Sequence, residues 1–289
     1  MRQHVLVLAL DGVHAGILAT CATPHLDGVA ARGFARDIRI REGEPTISGP
    51  IWTSAMTGVP SATHGVRDND LSRYTRREHP DVATILGDAD PGLRTLVAAH
   101  WAPLVTGASG GPLFATGGYW PGDVGGVDAA DERVTRHACD RLAAEDVAFA
   151  FVYFHLVDAV GHDVGTGEPY RAAIETTDAR VGRVLDAVAS RPSRGREEWT
   201  VIALTDHGHR PEGGHGGRSD DERAAWIRAC GPGLREAAVR RDLTHEDVAA
   251  QALVTLGLPL PDQITGRALT ACPTQRAAAT RPTTQEDAT

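Results

Sequence analysis

Three short runs of apolar residues set the strongest limit on the fold of this chain. They span residues 5–10, 147–154 and 199–204, and none of them alternates regularly between apolar and polar side chains. Continuous apolar runs are typical of strands covered on both faces, as in a parallel sheet. Segments with helical patterns lie between them. The sequence therefore predicts an α/β fold with a central, largely parallel sheet and helices on both faces.

The other predicted elements fill the intervals between these three strands. Further strands are predicted at residues 34–41, 93–101 and 224–229. Helices are predicted at residues 23–33, 48–57, 81–88, 131–145, 170–190 and 245–256. The elements form one predicted domain over residues 1–272 with little room for an added cap. Residues 273–289 are rich in Thr, Ala, Gln and Pro without an apolar pattern, so we expect a disordered tail.

Acidic and histidine side chains follow each of the three buried strands. Asp11 comes directly after the first, Asp158 and His162 follow the second, and Asp206 and His207 follow the third. Because ligands bind at the carboxyl ends of strands in an open α/β sheet, we expect these groups to converge. Carboxylates together with imidazoles suit Zn²⁺ or Mn²⁺. The sequence thus predicts a metal centre at this edge.

Ser48 begins a segment whose sequence is typical of a helix N-terminus, with Pro50 in the first turn and Gly58 near the C-terminal end of the helix. The backbone N–H groups and positive dipole end at such a place favour an anion. A serine here either caps the helix or serves as a nucleophile. His215 is a further candidate, because it lies in a loop with glycines on both sides that is able to fold over a site.

Each of these residues also has an ordinary structural explanation. A lone aspartate after a strand is commonly a turn or cap residue, and a lone histidine is commonly a surface residue. Histidines in glycine-rich loops often have no chemical role. It is the joint occurrence of such residues at three strand ends that favours a functional site.

Composition limits the classes of partner. The net charge of −9 and a pI of about 5.8 argue against binding of nucleic acid polymers or of an anionic membrane. The four cysteines are widely separated and form no CxxC pair, which indicates reduced thiols. The N-terminal apolar run is short and ends in a carboxylate, and no later run approaches a spanning length. We expect a cytoplasmic protein.

Residues 108–128 are dense in Gly and Pro and show no periodicity, so they are predicted to form a long surface loop and a candidate lid. Aromatic side chains near the predicted strand ends and this loop either line a substrate pocket or belong to the core; for Trp101, the core is favoured. These aromatic residues are Trp52, Trp101, Tyr119 and Trp120.

Taken together, the motifs resemble the alkaline phosphatase superfamily, and within it the type I phosphodiesterase/nucleotide pyrophosphatase branch. Their order and spacing hold from residue 4 to about residue 270, and residues 23–33 resemble the superfamily's first helix. The matching segments are residues 7–12, 48–58, 64–66, 158–162, 205–208 and 214–216.

The resemblance implies two divalent metal ions, zinc being the usual one and manganese an alternative. It places one ion on Asp11, Ser48, Asp206 and His207, and the other on Asp158, His162 and His215. Asn69 falls where the family binds a phosphoryl oxygen. By position, Asp68 is expected to orient the loop, and His64 is better explained as a loop or supporting residue than as a ligand. Asp163 and His209 are expected to support the ligands at most.

The implied chemistry is attack of Ser48 on phosphorus, assisted by metal that lowers the pKa of its hydroxyl, to give a phosphoseryl intermediate. The implied substrate is a small phosphate ester, with diesters or pyrophosphates favoured over monoesters. The family members that act on nucleotides generally use Thr as the nucleophile, so this preference stays open. A sulfatase is disfavoured, because Trp52 stands where the sulfatase motif carries Arg. A phosphonate hydrolase and a non-catalytic metal-binding protein are the remaining alternatives.

Overall fold

The computed structural model describes residues 1–270. The predicted tail at 273–289 and the predicted domain boundary at 272 lie outside these residues. The described strands are β1 Arg2–Leu10, β2 Phe34–Arg39, β3 Arg94–Ala99, β4 Val147–Phe154, β5 Glu197–Leu204 and β6 Ala224–Cys230. The described helices are α1 Ala15–Leu18, α2 Pro24–Arg32, α3 Ser48–Thr57, α4 Ser61–His64, α5 Val82–Ala89, α6 Ala102–Val105, α7 Gly126–Ala144, α8 Leu156–Val164, α9 Glu168–Ala189, α10 Asp220–Arg223 and α11 Asp247–Thr255.

The strands form one sheet in the order β2-β6-β5-β1-β4-β3. All neighbours are parallel except β6, which runs antiparallel to both β2 and β5. The strand β1 lies between β4 and β5, which are the two other continuous apolar runs. The predicted α/β fold with a largely parallel central sheet is therefore confirmed.

Apolar side chains cover both faces of the sheet. Along β1, Val5, Val7 and Ala9 join one core with residues from α3, α5 and α11. The alternate residues Leu6, Leu8 and Leu10 join a second core with residues from α2, α7 and α9. Successive side chains of a strand point to opposite faces, so a strand buried on both sides shows no polar alternation. Within residues 1–270, no helix combines the length and apolarity that crossing a membrane requires.

The segment 108–128 differs from the predicted surface loop. Leu113 and Phe114 are fully buried in the core beside β4. The Tyr119 N–H donates to Val97 O at 2.8 Å, which fastens the segment along the edge strand β3. The helix α7 begins at Gly126, five residues earlier than predicted. Isolated apolar residues in a glycine-rich segment show no periodicity, so the sequence pattern did not indicate that Leu113 and Phe114 are buried.

The aromatic residues near the strand ends are divided between core and surface. Trp52 is fully buried and packs edge-on against Phe151 and Tyr153, so the pocket alternative is wrong for this residue. Trp101 is half-buried and packs against the core, as favoured. Tyr119 stacks on His137, while Trp120 is 40% exposed.

Candidate active site

The three acidic residues predicted to converge lie together at the carboxyl edge of the sheet. Asp11, Asp158 and Asp206 follow β1, β4 and β5, which are adjacent strands. The Gly12 N–H donates to Asp206 Oδ1 at 3.0 Å, which joins the ends of β1 and β5. All three carboxylates are buried, and no Lys or Arg within residues 1–270 forms an ion pair with them. The arrangement concentrates negative charge where water is scarce.

Ser48 is the first residue of α3, directly after the extended Ile47, and its hydroxyl faces the acidic cluster. Its Oγ lies 3.2 Å from His207 Nε2 and 3.4 Å from Asp11 Oδ1. The side chain is 4% exposed. Ile47 occupies the N-cap position, so Ser48 is the first helical residue and not the cap. A serine held away from the cap and next to a carboxylate and an imidazole has the surroundings of a nucleophile.

Two histidines are anchored through Nδ1 and direct Nε2 into the cluster. His207 Nδ1 lies 3.2 Å from Gly208 O, and its Nε2 lies 3.3 Å from Asp206 Oδ2 and 3.6 Å from Asp11 Oδ1. His215 Nδ1 lies 2.8 Å from Thr46 O. A carbonyl oxygen only accepts, so each Nδ1 carries the proton and each neutral ring has its lone pair on Nε2. This is how histidine ligands are usually oriented.

Asp158 and His162 lie one turn apart on α8, as their spacing predicts. His162 Nε2 lies 3.6 Å from Asp158 Oδ2 and 2.9 Å from His215 Nε2. His215 Nε2 in turn lies 3.5 Å from Asp158 Oδ1. The three side chains proposed for the second ion therefore lie close together, two from α8 and His215 from a loop about 53 residues later.

Asp11 is held by two neutral donors that no motif indicated. Trp52 Nε1 donates to its Oδ2 at 3.1 Å, and the Tyr153 hydroxyl donates to the same oxygen. Oδ1 is the oxygen that faces Ser48 and His207. The pair of donors therefore fixes the carboxylate plane and leaves one oxygen for the site.

Two further histidines belong to the cluster. His209 was expected to support the ligands at most, and its Nε2 lies 2.8 Å from Asp158 Oδ1. Its ring fills a space above Gly161, where a Cβ would lie 2.8 Å from it. His155 was not singled out from the sequence, yet its ring nitrogens lie 3.9 Å from oxygens of Asp11 and Asp158. Its position directly after a buried strand was the available signal.

The electrostatics fit divalent cations. Burial and the charge of Asp11 raise the pKa of Asp206 well above its usual range, and the same two causes raise the pKa of Asp158 to about 6. Burial and the neighbouring His215 lower the pKa of His207. Asp206 Oδ2 is buried without a hydrogen-bond partner among the described residues. Clustered carboxylates with an unpaired oxygen and neutral imidazoles form the donor set that Zn²⁺ or Mn²⁺ takes.

Asn69 lies beside the nucleophile on an exposed loop. The Gly49 N–H donates to Asn69 Oδ1 at 2.9 Å, which identifies the oxygen and leaves the amide NH₂ of Asn69 free to donate. The loop comes close to α3 because Gly49 has no side chain, and a Cβ there would overlap Asp68 O. Asp68 Oδ1 accepts from the Asp70 N–H at 2.8 Å, which agrees with its expected role in shaping the loop.

Two other candidates lie away from the cluster. His64 is fully buried, its Nε2 lies 3.0 Å from Ser54 Oγ, and burial lowers its pKa to about 3. It belongs to the packing under α3, in agreement with a supporting role. Asp163 is exposed on α8.

Residues 5–216 match the sequence profile described as type I phosphodiesterase / nucleotide pyrophosphatase. Over 151 residues, the chain is 30% identical to the 2,3-bisphosphoglycerate-independent phosphoglycerate mutase of a Synechococcus species. That alignment covers 47% of this chain and 26% of the mutase, so the chain spans about a quarter of this curated relative.

Solved structures with low sequence identity share the fold. The chain is similar to a 2-O GAG sulfatase with a TM-score of 0.74 and 14% identity, over 93% of this chain and 73% of the other. It is also similar to an inactive variant of murine ectonucleotide pyrophosphatase / phosphodiesterase 5 in complex with AMP. There the TM-score is 0.65 and the identity 14%, over 90% of this chain and 96% of the other.

Proposed function

This chain belongs to the type I phosphodiesterase / nucleotide pyrophosphatase family, and we propose that it hydrolyses phosphate esters with Ser48 as the nucleophile. The observation that carries the proposal is the position of the Ser48 hydroxyl, 3.2 Å from His207 Nε2 and 3.4 Å from Asp11 Oδ1. Packing alone does not require a buried serine to lie among three carboxylates and several imidazoles. The arrangement therefore favours a chemical role for Ser48.

We assign two divalent cations to the cluster, zinc or manganese. One is assigned to Asp11, Ser48, Asp206 and His207, and the other to Asp158, His162 and His215. When bound, such cations lower the pKa of a serine hydroxyl and offset negative charge on the phosphoryl group. The unpaired Asp206 Oδ2 and the convergent Nε2 atoms support this assignment.

The side chains of the chain then have separate tasks. Ser48 Oγ attacks phosphorus and forms a phosphoseryl intermediate, while the bond to the leaving oxygen breaks. The amide NH₂ of Asn69 donates to a phosphoryl oxygen, and its Oδ1 is held by the Gly49 N–H. The N-terminal backbone N–H groups of α3 add positive potential at the same place. Water then cleaves the intermediate and restores the Ser48 hydroxyl.

We propose diesters or pyrophosphates of nucleotide type as substrates, with small monoesters as the second choice. The AMP complex of the murine relative supports a small nucleotide, and so does the family profile. Sulfate esters are disfavoured although sulfatases share the fold. Trp52, at the position of the sulfatase arginine, is buried and donates to Asp11.

The test compares hydrolysis of bis-(p-nitrophenyl) phosphate and p-nitrophenyl phosphate on one preparation whose metal content is measured. We expect about two zinc or manganese ions per chain and chelator-sensitive hydrolysis that is faster on the diester. A monoester rate higher by orders of magnitude would make the protein a phosphomonoesterase. Bound cations without turnover on any activated ester would refute the proposed hydrolase.

A further inference from the structure

His155 lies at the solvent side of the cluster in a fixed position. It follows β4 directly and precedes α8, and its backbone N–H donates to the Asp131 carboxylate at 2.9 Å. Its side chain is 20% exposed. The backbone is therefore anchored, while the ring borders both the cluster and the solvent.

A chain of hydrogen bonds determines which ring nitrogen carries the proton. The Tyr153 hydroxyl has one proton, and it donates that proton to Asp11 Oδ2. The same hydroxyl oxygen lies 2.8 Å from His155 Nδ1, so it accepts there and Nδ1 is the donor. A neutral His155 ring consequently has its lone pair on Nε2.

This lone pair lies next to an oxygen already assigned to a cation. His155 Nε2 is 3.9 Å from Asp158 Oδ2, and His162 Nε2 is 3.6 Å from the same oxygen. Two donors that share one zinc ion lie roughly 3–4 Å apart, since each bond is about 2.1 Å long. The other oxygen of Asp158 is engaged by His209 at 2.8 Å.

We propose that His155 is an additional ligand of the second cation, bound through Nε2 together with Asp158, His162 and His215. The hydrogen-bond chain through Tyr153 then joins this ligand to Asp11 of the first cation. The inference rests on the metal centre of the proposed function, and it concerns a residue that lies in none of the segments carrying the family resemblance.

Titration calorimetry of the metal-free protein with Zn²⁺ and with Mn²⁺ tests the assignment. We expect His155→Gln to raise the Kd of one of the two ions by at least the roughly 10- to 100-fold that loss of a residue supporting a ligand causes, and to leave the other nearly unchanged. Tyr153→Phe removes the hydroxyl that contacts both His155 Nδ1 and Asp11 Oδ2, so we expect it to raise the Kd of both ions, whereas His155→Gln affects only one. The matched control is His100→Gln, because the His100 ring lies 5.8 Å from the His155 ring and is paired with Asp123 instead.

A second readout does not depend on affinity. In protein loaded with ¹¹³Cd and labelled with ¹⁵N-histidine, the second cation is expected to couple to three imidazole nitrogens, and to two in His155→Gln. Two couplings in the wild type, together with an unchanged Kd in the variant, would overturn the role of His155 alone. A wild-type protein that binds neither Zn²⁺ nor Mn²⁺ would overturn the metal centre of the proposed function as well.

Discussion

Glu197 forms a buried ion pair whose loss has a calculable cost. Arg191 Nε donates to both carboxylate oxygens at 2.9 and 3.1 Å, its Nη2 donates at 2.9 Å, and Trp199 Nε1 donates at 2.8 Å. Both side chains of the pair are 4% exposed. Burial by itself raises the pKa of Glu197. Hydrogen bonds from Arg191, Ser193 and Trp199 outweigh that effect and hold the pKa at about 2.

The decrease of the Glu197 pKa from its usual 4.5 to about 2 gives the magnitude. A difference of about 2.5 pKa units, at about 1.4 kcal/mol each, corresponds to roughly 3 kcal/mol of stabilisation in the ionised state. Because the folded pKa is the lower one, this stabilisation is fully present above the unfolded pKa. It is lost as the pH falls from about 4.5 towards 2. Glu197→Gln removes this same interaction and leaves the Arg191 guanidinium buried without its counter-charge, so the two descriptions refer to one loss of about 3 kcal/mol and do not add.

Urea unfolding of metal-free protein, followed by circular dichroism, measures the effect. We expect Glu197→Gln to lower the free energy of unfolding by about 3 kcal/mol at pH 7, and the difference from wild type to shrink steadily below pH 4. The matched control is Glu132→Gln, which removes a similar bidentate pair with Arg183 at the surface, where the expected loss is below about 1 kcal/mol. A Glu197→Gln effect no larger than that of the control, or one that is constant from pH 7 to pH 3, would refute the reasoning.

Three further substitutions test the site. Ser48→Ala is expected to fold and retain most of its cations while kcat falls on the order of 10³-fold or more; undiminished hydrolysis would remove Ser48 from the mechanism. Asp206→Asn is expected to weaken one cation site and to lower the melting temperature of the loaded protein, since bound ligand stabilises the folded state; an unchanged metal count would contradict the assignment. Gly49→Ala is expected to push the loop that carries Asp68 and Asn69 away from α3, because the added Cβ would overlap Asp68 O. The displacement of Asn69 is expected to lower kcat with the metal content unchanged. Wild-type kinetics would show that catalysis does not depend on the close approach of this loop to α3.

The strands and the convergence of their ends could be predicted from the sequence, because strands buried on both faces appear in it as continuous apolar runs. The run at 147–154 was predicted with the bounds that β4 has in the structure, and Asp11, Asp158 and Asp206 meet because parallel neighbours end at one edge. The direction of a strand is less evident from its sequence, so the antiparallel orientation of β6 could not be predicted. Nor could the early start of α7.

The supporting contacts of the site could not be read from the chain. Tyr153 reaches Asp11 across 142 residues, and His209 reaches Asp158 across 51. The apolar pattern predicts that Trp52 and Tyr153 are buried. It does not predict which acceptor the Trp52 Nε1–H or the Tyr153 hydroxyl binds. Such contacts depend on strand order and register, which only the assembled sheet provides.

The central place of β1 in the sheet also delays its pairing during synthesis of the chain. This strand is made before β4 and β5, yet it pairs with both, and its partner residues lie about 144 to 195 positions later. At roughly 5–20 residues per second, its two edges wait for a time on the order of 10–40 s before both partners exist. Asp11 therefore meets Asp206 only after 195 further residues have been made. The cluster proposed to hold the cations is consequently assembled late in synthesis, after β5 and the residues that follow it have been made.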